Sequence, residues 1–219
     1  MHPYESHILK KMLLGDVLRY RDLKPINAEG NLFVYHLKNL IKGGFIEKTI
    51  GGYKLTAIGL RYVDKISLSR FKQRSQPKII TIIIGKNSKR EYLLYINKRQ
   101  PFYDLIGFPY GKIHFGENLI EAANRELKEK SGLSASLKHK GDIYLKIYKD
   151  GELISHMLCH IFSAINFSGN LINESETGIC RWRNIKNIEQ KKFIPGFFEI
   201  AKLTEKSKGY FFTELTFGK

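Results

Sequence analysis

The sequence is poor in cysteine and has no long apolar segment. Only two cysteines, Cys159 and Cys180, occur among 219 residues, whereas a secreted domain stapled by disulfides normally has more. The longest branched apolar run, Ile79–Ile84, is far shorter than the roughly 20 residues that a membrane span needs. The first residues also lack the basic and then apolar order of a signal peptide. We therefore expect a cytoplasmic protein without a membrane partner.

Acidic residues are few as well. The chain has 37 Lys and Arg against 21 Asp and Glu, a net charge of +16. Residues 1–76 have 14 basic and 6 acidic residues and residues 77–219 have 23 and 15, so each part has the same excess. The first part has that excess in about half the length, and a dense basic domain suits a polyanion such as nucleic acid. Solubility, or a genome that uses much lysine, would give the same composition.

Residues 1–66 are expected to form a small helical domain with a hairpin. A helix is expected over 6–14 with Ser6 as its N-cap, and a short one near Tyr20–Lys24. Gly30-Asn31 is the expected N-cap of a third helix that runs to Lys42, and a hairpin with a Gly51-Gly52 loop is expected after it. A last helix begins after Thr56. The expected core stripe of the third helix is Leu37, Leu40 and Ile41.

This order of elements resembles a winged helix-turn-helix domain of small bacterial and archaeal regulators. The resemblance implies that the third helix enters the DNA major groove and that the hairpin wing contacts phosphates. Apolar residues at 32–34 depart from the usual DNA-reading pattern, and the alternative is a dimerisation or packing module. The residues expected to contact DNA are Asn31, Tyr35, Lys38, Lys48 and Lys54.

We expect residues 67–77 to form a basic linker. Residues 78–219 are expected to form a second domain that contains both strands and helices. Strands are expected at Lys78–Gly85, Tyr92–Asn97, Gly141–Tyr148 and His156–Ile165. A helix over Glu117–Lys130 has a capping-box-like start at Asn118 and Glu121. Its expected core face consists of Ile120, Ala123 and Leu127.

Carboxylates in and before this helix follow a long fixed spacing. Gly111 precedes Glu117 by five intervening residues, and seven more separate Glu117 from Arg125-Glu126-Leu127. Glu129, Lys130 and the pair Gly132-Leu133 complete the pattern. Eight of its nine fixed positions match the Nudix box, so residues 78 to about 205 resemble a Nudix domain. The resemblance implies an α/β/α sandwich around a mixed sheet and a nucleoside diphosphate derivative as ligand.

The same resemblance implies metal-dependent chemistry. Mg²⁺ or Mn²⁺ would be held by Glu126 and Glu129, with Glu126 also the candidate base and the Tyr110 carbonyl a further ligand. A later glutamate, Glu174 or Glu176, would assist from outside the box. The remaining assignments are Gly111, Glu117, Arg125 and Gly132 as shaping residues of the box, and Arg99 and Lys112 as phosphate-binding residues.

One position departs from the box. Lys130 stands where the family has a glutamate that usually binds metal, and an ammonium group repels a divalent cation. We therefore expect hydrolysis to be weak or absent, with the domain holding a nucleotide as a signal. Lys130 itself could neutralise part of a diphosphate.

Residues 156–160 contain two histidines and a cysteine, and we interpret this segment as part of the core instead of a metal site. His156, Cys159 and His160 lie close in sequence, but in a strand 156 and 160 share one face and 159 points to the other. Tyr210–Leu215 alternates aromatic and polar residues, which is typical of an edge strand or a dimer contact.

Together these features favour a transcriptional regulator in which a winged helix binds DNA and a Nudix domain senses a nucleotide-linked metabolite. The first alternative is an active Mg²⁺- or Mn²⁺-dependent Nudix pyrophosphohydrolase with an N-terminal dimerisation domain. The second is a nucleic-acid end-processing enzyme. A homodimer is compatible with each.

Overall fold

A computed structural model describes residues 1–67 and 75–218 of the chain. Contacts divide the chain into two compact units, Met1–Ser75 and Gln76–Lys219. Residues 68–74, which include the basic residues expected in the linker, lie outside the described residues. Among the helices that are described, none is long and apolar enough to cross a membrane.

Among its described residues, the first unit contains four helices and one hairpin. Their bounds are α1 Pro3–Met12, α2 Tyr20–Leu23, α3 Gly30–Lys42, β1 Ile46–Thr49, β2 Gly52–Leu55 and α4 Ala57–Val63. The two strands pair antiparallel across the Gly-containing turn. Helix α4 begins after Thr56, whose hydroxyl accepts a hydrogen bond from the Gly59 N–H at 3.2 Å.

The start of α1 differs from the expected one. The helix begins at Pro3 instead of Ser6, because His2 is its N-cap and Pro3 suits the first helical position. The Glu5 carboxylate accepts a hydrogen bond from the His2 N–H at 3.1 Å. The same Glu5 pairs with the buried His36 of α3 at 3.0 Å, so this contact links α1 to α3.

Helix α3 packs through a face rotated from the expected one. Phe33, His36, Leu37 and Leu40 are buried, whereas Ile41 is 37% exposed. Predicting Ile41 as core was therefore wrong, because Phe33 packs instead against Tyr4 of α1 and Tyr20 of α2 and fixes the helical phase. The exposed side of the helix contains Asn31, Tyr35 and Lys38.

In the second unit, the described residues form eight strands and two α-helices. Its elements are β3 Lys78–Gly85, β4 Tyr92–Asn97, β5 Ile106–Gly107, β6 Tyr110–Lys112, α5 Leu119–Ser131, β7 Ser134–Lys149, β8 Glu152–Ser168, β9 Gly178–Arg183, α6 Phe197–Lys206 and β10 Phe211–Phe217. Short 3-10 turns at Ile185–Asn187 and Gln190–Lys192 precede α6.

A five-stranded mixed sheet in the order β10-β7-β8-β3-β6 forms the centre of this unit. β3 pairs parallel to β8 and antiparallel to β6, and β7 pairs antiparallel to β8 and parallel to β10. A separate three-stranded antiparallel sheet has the order β5-β4-β9. The sequence predicts the mixed sheet but not its division into two sheets.

The two faces of β3 bury different cores, as expected for a buried strand. Ile80, Ile82 and Ile84 pack in the cluster that includes Phe197 of α6. Ile83 packs in the cluster that includes Leu127 of α5. One helix therefore covers each face, which gives the α/β/α layering. Ile120, expected in the core face of α5, is 44% exposed because that face ends at Ala123.

Two predicted strands are longer than expected. β7 and β8 form a hairpin of 16 and 17 residues. Tyr210–Leu215 corresponds to β10, which is an edge strand of the mixed sheet.

Candidate functional site

An open cleft of about 350 Å³ lies in the second unit beside β6 and the C-terminal half of α5. Six of its lining residues are candidates from the sequence: Arg99, Tyr110, Gly111, Lys112, Glu126 and Lys130. They come from the loop after β4, from β6 and from α5. The apolar wall consists of Ile80, Phe102 and Met157. The cleft thus combines positively charged side chains with this apolar wall. Small-molecule sites commonly pair an apolar lining with a few polar groups in this way.

Arg125 fastens the loop before α5 to the helix. Its Nε and Nη2 donate to the two oxygens of Glu117 at 2.7 and 2.9 Å, and Nη2 also donates to the Lys112 carbonyl at 3.0 Å. Hydrogen bonds from Arg125, and then from the His114 N–H, lower the pKa of Glu117 to about 2. The same contacts raise the pKa of Arg125. Both groups therefore stay charged and hold the loop.

Glu126 is held against the backbone of β6. Its side chain is only 9% exposed, and a Cβ atom built at Gly111 would lie 1.7 Å from the Glu126 Cδ. Only glycine permits this approach. At the other end of the helix, Gly132 has a φ of 72° and its N–H donates to the Lys128 carbonyl at 2.8 Å, which ends α5.

Lys130 points into the cleft. Its Nζ lies 3.7 Å from Glu126 Oε2, and its side chain is 15% exposed. The ammonium lies 4.6 Å from the centre of the Tyr95 ring and 5.7 Å from that of Tyr110. Aromatic rings at such distances attract cations. The lysine is therefore a fixed part of the cleft wall and not a solvated surface residue.

Tyr110 is fixed by partners on neighbouring strands. Its hydroxyl donates to Asn97 Oδ1 at 2.8 Å, and Asn97 Nδ2 donates to the Leu105 carbonyl at 2.9 Å. Burial, together with the nearby Tyr95, raises the pKa of Tyr110 to about 12. Tyr110 therefore stays neutral at physiological pH, and its ring forms one side of the cleft.

The carboxylates around Glu126 do not fit a tightly held divalent cation. Glu126 Oε1 accepts from Arg125 Nη1 at 2.7 Å, and its other oxygen faces Lys130. Glu129 has a 60% exposed side chain and a 3.4 Å contact with Arg125. Near a protein surface two like unit charges about 4 Å apart repel by about 4 kcal/mol, and a doubly charged ion doubles that. The ammonium group of Lys130, which stands where the box has a further carboxylate and lies 3.7 Å from Glu126, therefore makes this a poor Mg²⁺ or Mn²⁺ site.

The other candidates lie at the margin of the cleft or outside it. Glu174 pairs with Lys98 and its side chain is 63% exposed. Glu176 is exposed and does not line the cleft in the part of the chain that the structure describes, whereas its neighbour Thr177 does. The structure thus does not bring either glutamate to Glu126.

Tyr95, Asn97 and Ser155 are among the cleft residues that the sequence did not indicate. Tyr95 forms the ring face beside Lys130, Asn97 positions Tyr110, and Ser155 is a 3% exposed serine whose Oγ has no partner among the described residues. They belong to strands β4 and β8, and no local motif marks them.

Replacing Gly111 with alanine is expected to destabilise the second unit by about 1–3 kcal/mol, because overpacking of this size displaces the Glu126 carboxylate. Urea unfolding of the full chain measures the change. Gly209→Ala is the matched control, because a Cβ atom there meets no atom within 4 Å. Equal unfolding midpoints for the two variants would contradict the close contact.

Comparison with known proteins gives a family match over most of the second unit. The family model described as NUDIX domain matches residues 75–203. The chain is 28% identical over 102 residues to the uncharacterised Nudix hydrolase YvcI of Bacillus subtilis, which is 46% of this chain and 65% of that protein. It is 26% identical over 146 residues to the ADP-ribose pyrophosphatase of Methanocaldococcus jannaschii, covering 64% and 84% of the two chains.

Solved structures agree with the fold. The MutT protein of Bacillus halodurans superposes with a TM-score of 0.54 at 21% identity, covering 64% of this chain and 90% of that one. The NUDIX domain of Shewanella oneidensis NrtR, solved with ADP-ribose, gives 0.51 at 14% identity, covering 69% and 98%. Identities this low establish only a shared fold.

Proposed function

This chain belongs to the Nudix family, and we propose that its second unit binds a nucleoside-diphosphate-type ligand as a signal while its first unit binds DNA. Nudix hydrolases generally use divalent metal ions, but the residues around Glu126 are unsuited to one. The observation that carries the proposal is the ammonium group of Lys130, 3.7 Å from Glu126 and packed on two tyrosine rings.

The charge at the cleft supports a phosphate-containing ligand. Lys130 lies inside, and Arg99 and Lys112 lie at the rim. Lysine and arginine bind phosphates through charged hydrogen bonds, which are about twice as strong as neutral ones. An internal ammonium can balance part of a diphosphate charge without a metal ion. One similar protein is named an ADP-ribose pyrophosphatase and a domain of the same fold was solved with ADP-ribose, so ADP-ribose is the first probe.

The ligand proposal predicts binding without rapid turnover. ADP-ribose or another nucleoside diphosphate in a panel should bind the full chain with a chelator present, and Lys130→Met should weaken binding by about tenfold or more because it removes a charged contact worth about 1.5–3 kcal/mol. Calorimetry measures the affinity, and chromatography with Mg²⁺ or Mn²⁺ measures cleavage. Lys202→Met is the control, because Lys202 is an exposed lysine of α6 that does not line the cleft.

Two results would overturn this proposal. Rapid hydrolysis of several nucleoside diphosphate compounds by the unmodified chain would show that it is an active hydrolase, as the names of its relatives describe them. Absence of binding across the panel would remove the ligand altogether.

The first unit supports the DNA part of the proposal by its element order and exposed side chains. Helix α3 precedes the β1–β2 hairpin, as a recognition helix precedes a wing. Asn31, Tyr35 and Lys38 are on its exposed side, and Lys48 is exposed on the hairpin. Lys54, also on the hairpin, pairs with Glu47 at 3.0 Å, and both side chains are about half exposed. An exposed pair of this kind is weak, so Lys54 can exchange Glu47 for a phosphate.

A further inference from the structure

Three side chains of the types that bind metal ions lie together on one face of the mixed sheet, opposite to the face that contains the cleft residue Met157. His139 Nε2 and His160 Nδ1 lie 2.8 and 2.7 Å from the same Asp142 oxygen, Oδ1. Candidate ligand atoms of these three residues are all within 4.8 Å of one another. Among residues 1–67 and 75–218 this is the one group of three such side chains that meets this limit. His160 and Met157 of β8 point to opposite faces, so the cluster is separate from the cleft.

A β-bulge brings the cluster together. In a regular strand, residues three apart such as His139 and Asp142 point to opposite faces. Here the pairing shifts between His139 and Gly141, so that Lys140 is an extra residue on β7. The shift turns His139 to the face of Asp142, and Asp142 is directly opposite His160 of β8. Bulges commonly re-aim side chains in this way next to functional sites.

The surrounding residues hold the three side chains in place. The Tyr210 hydroxyl donates to Asp142 Oδ2 at 2.8 Å, and the His139 ring stacks on Phe162 at 5.1 Å between centroids. Asp142 therefore has the outer hydrogen-bond partner that ligating carboxylates usually have.

We propose that His139, Asp142 and His160 form a binding site for a transition-metal ion of the Zn²⁺ class, outside the nucleotide cleft. Two imidazole nitrogens and one carboxylate oxygen suit Zn²⁺, Co²⁺ or Ni²⁺, whereas Mg²⁺ prefers oxygen ligands. Three protein ligands leave one position of a tetrahedral ion for water. The His139 side chain is 32% exposed, which gives an ion a route from solvent. Binding requires each imidazole to present a lone pair, so its hydrogen moves to the other ring nitrogen or is released.

The test is a titration of the chelator-treated full chain with Zn²⁺, and with Co²⁺ as a spectroscopic probe of ligand type. We expect about one Zn²⁺ per chain, since the three ligands define a single site. His139→Ala and His160→Ala should each abolish this binding. Tyr210→Phe should weaken it by about tenfold, as loss of an outer partner does. His156→Gln is the matched control, because His156 is on the same strand outside the cluster.

The outcomes separate this site from the cleft. Zn²⁺ binding that survives Glu126→Gln but not His160→Ala supports the proposal, and thermal melting without metal checks that each variant is folded. If His160→Ala does not fold, His139→Ala alone decides the result, because His139 is partly exposed. Zn²⁺ binding that is unchanged in folded His139→Ala, or absent in the unmodified chain, would make the cluster a hydrogen-bonded network only.

Discussion

Replacing Lys130 with glutamate is expected to raise the rate of ADP-ribose hydrolysis with Mg²⁺ or Mn²⁺ by at least about 100-fold, because a single charge-stabilising group in an active site commonly changes the rate by about 10²–10³. The substitution removes an ammonium 3.7 Å from Glu126 and supplies a carboxylate one helical turn away. Oxygen ligands of this kind are those that Mg²⁺ and Mn²⁺ prefer. Steady-state assays with the purified full chain measure the gain.

Two further variants separate charge removal from ligand supply. Lys130→Gln removes the positive charge without adding a carboxylate, so we expect little gain in hydrolysis from it. Lys202→Glu makes the same charge change at an exposed position of α6 outside the cleft and should leave the rate unchanged. A folded, nucleotide-binding Lys130→Glu chain that gains no activity would show that Lys130 does not occupy the place of a missing ligand.

The parts of the site that the sequence predicts are those that lie close together along the chain. The box from Gly111 to Gly132 is a single loop and helix, so its spacing determines which side chains meet. The contact of Arg125 with Glu117 and the approach of Glu126 to Gly111 both lie within this segment. Fixed helical geometry turns such local spacing into position.

Contacts between distant strands are not readable in this way. Tyr95 and Ser155 are far apart in the sequence and belong to different sheets. They both reach the cleft only because the fold places β4 and β8 beside it. The bulge at Lys140 is a further case, since strict alternation assigns His139 to the wrong face. Alternation along β8, with His156 and His160 on one face and Cys159 on the other, favours core packing for His160 and does not reveal its contact with Asp142.

The helical phase of α3 shows a second limit of pattern analysis. The helix contains apolar residues on more than one side, so periodicity alone permits either Ile41 or Phe33 in the core. Tertiary packing decides, because the Phe33 ring meets Tyr4 and Tyr20 at 5.9 and 5.5 Å. Burial of Phe33 also means that it does not interrupt the exposed face that contains Asn31, Tyr35 and Lys38.

The double variant Lys38→Ala and Lys48→Ala is expected to weaken binding to the DNA upstream of the gene by at least about 100-fold. Hydrogen bonds to charged groups are each worth about 1.5–3 kcal/mol, so the loss of two gives about 3 kcal/mol or more. The slope of log affinity against log salt should fall by about 2, because each lysine that contacts a phosphate contributes about 1. Gel shift and fluorescence anisotropy at several salt concentrations measure both quantities.

The double variant Lys10→Ala and Lys11→Ala makes the same change of charge on the exposed side of α1. It should reduce affinity much less, because α1 is not the expected reading helix. Equal losses in the two double variants would indicate attraction by net charge alone.

If the first unit and the nucleotide cleft are coupled, thermodynamic linkage adds a stricter requirement. A nucleotide that changes DNA affinity by a given factor must have its own affinity changed by DNA by that same factor, and a mismatch would exclude equilibrium regulation by this ligand.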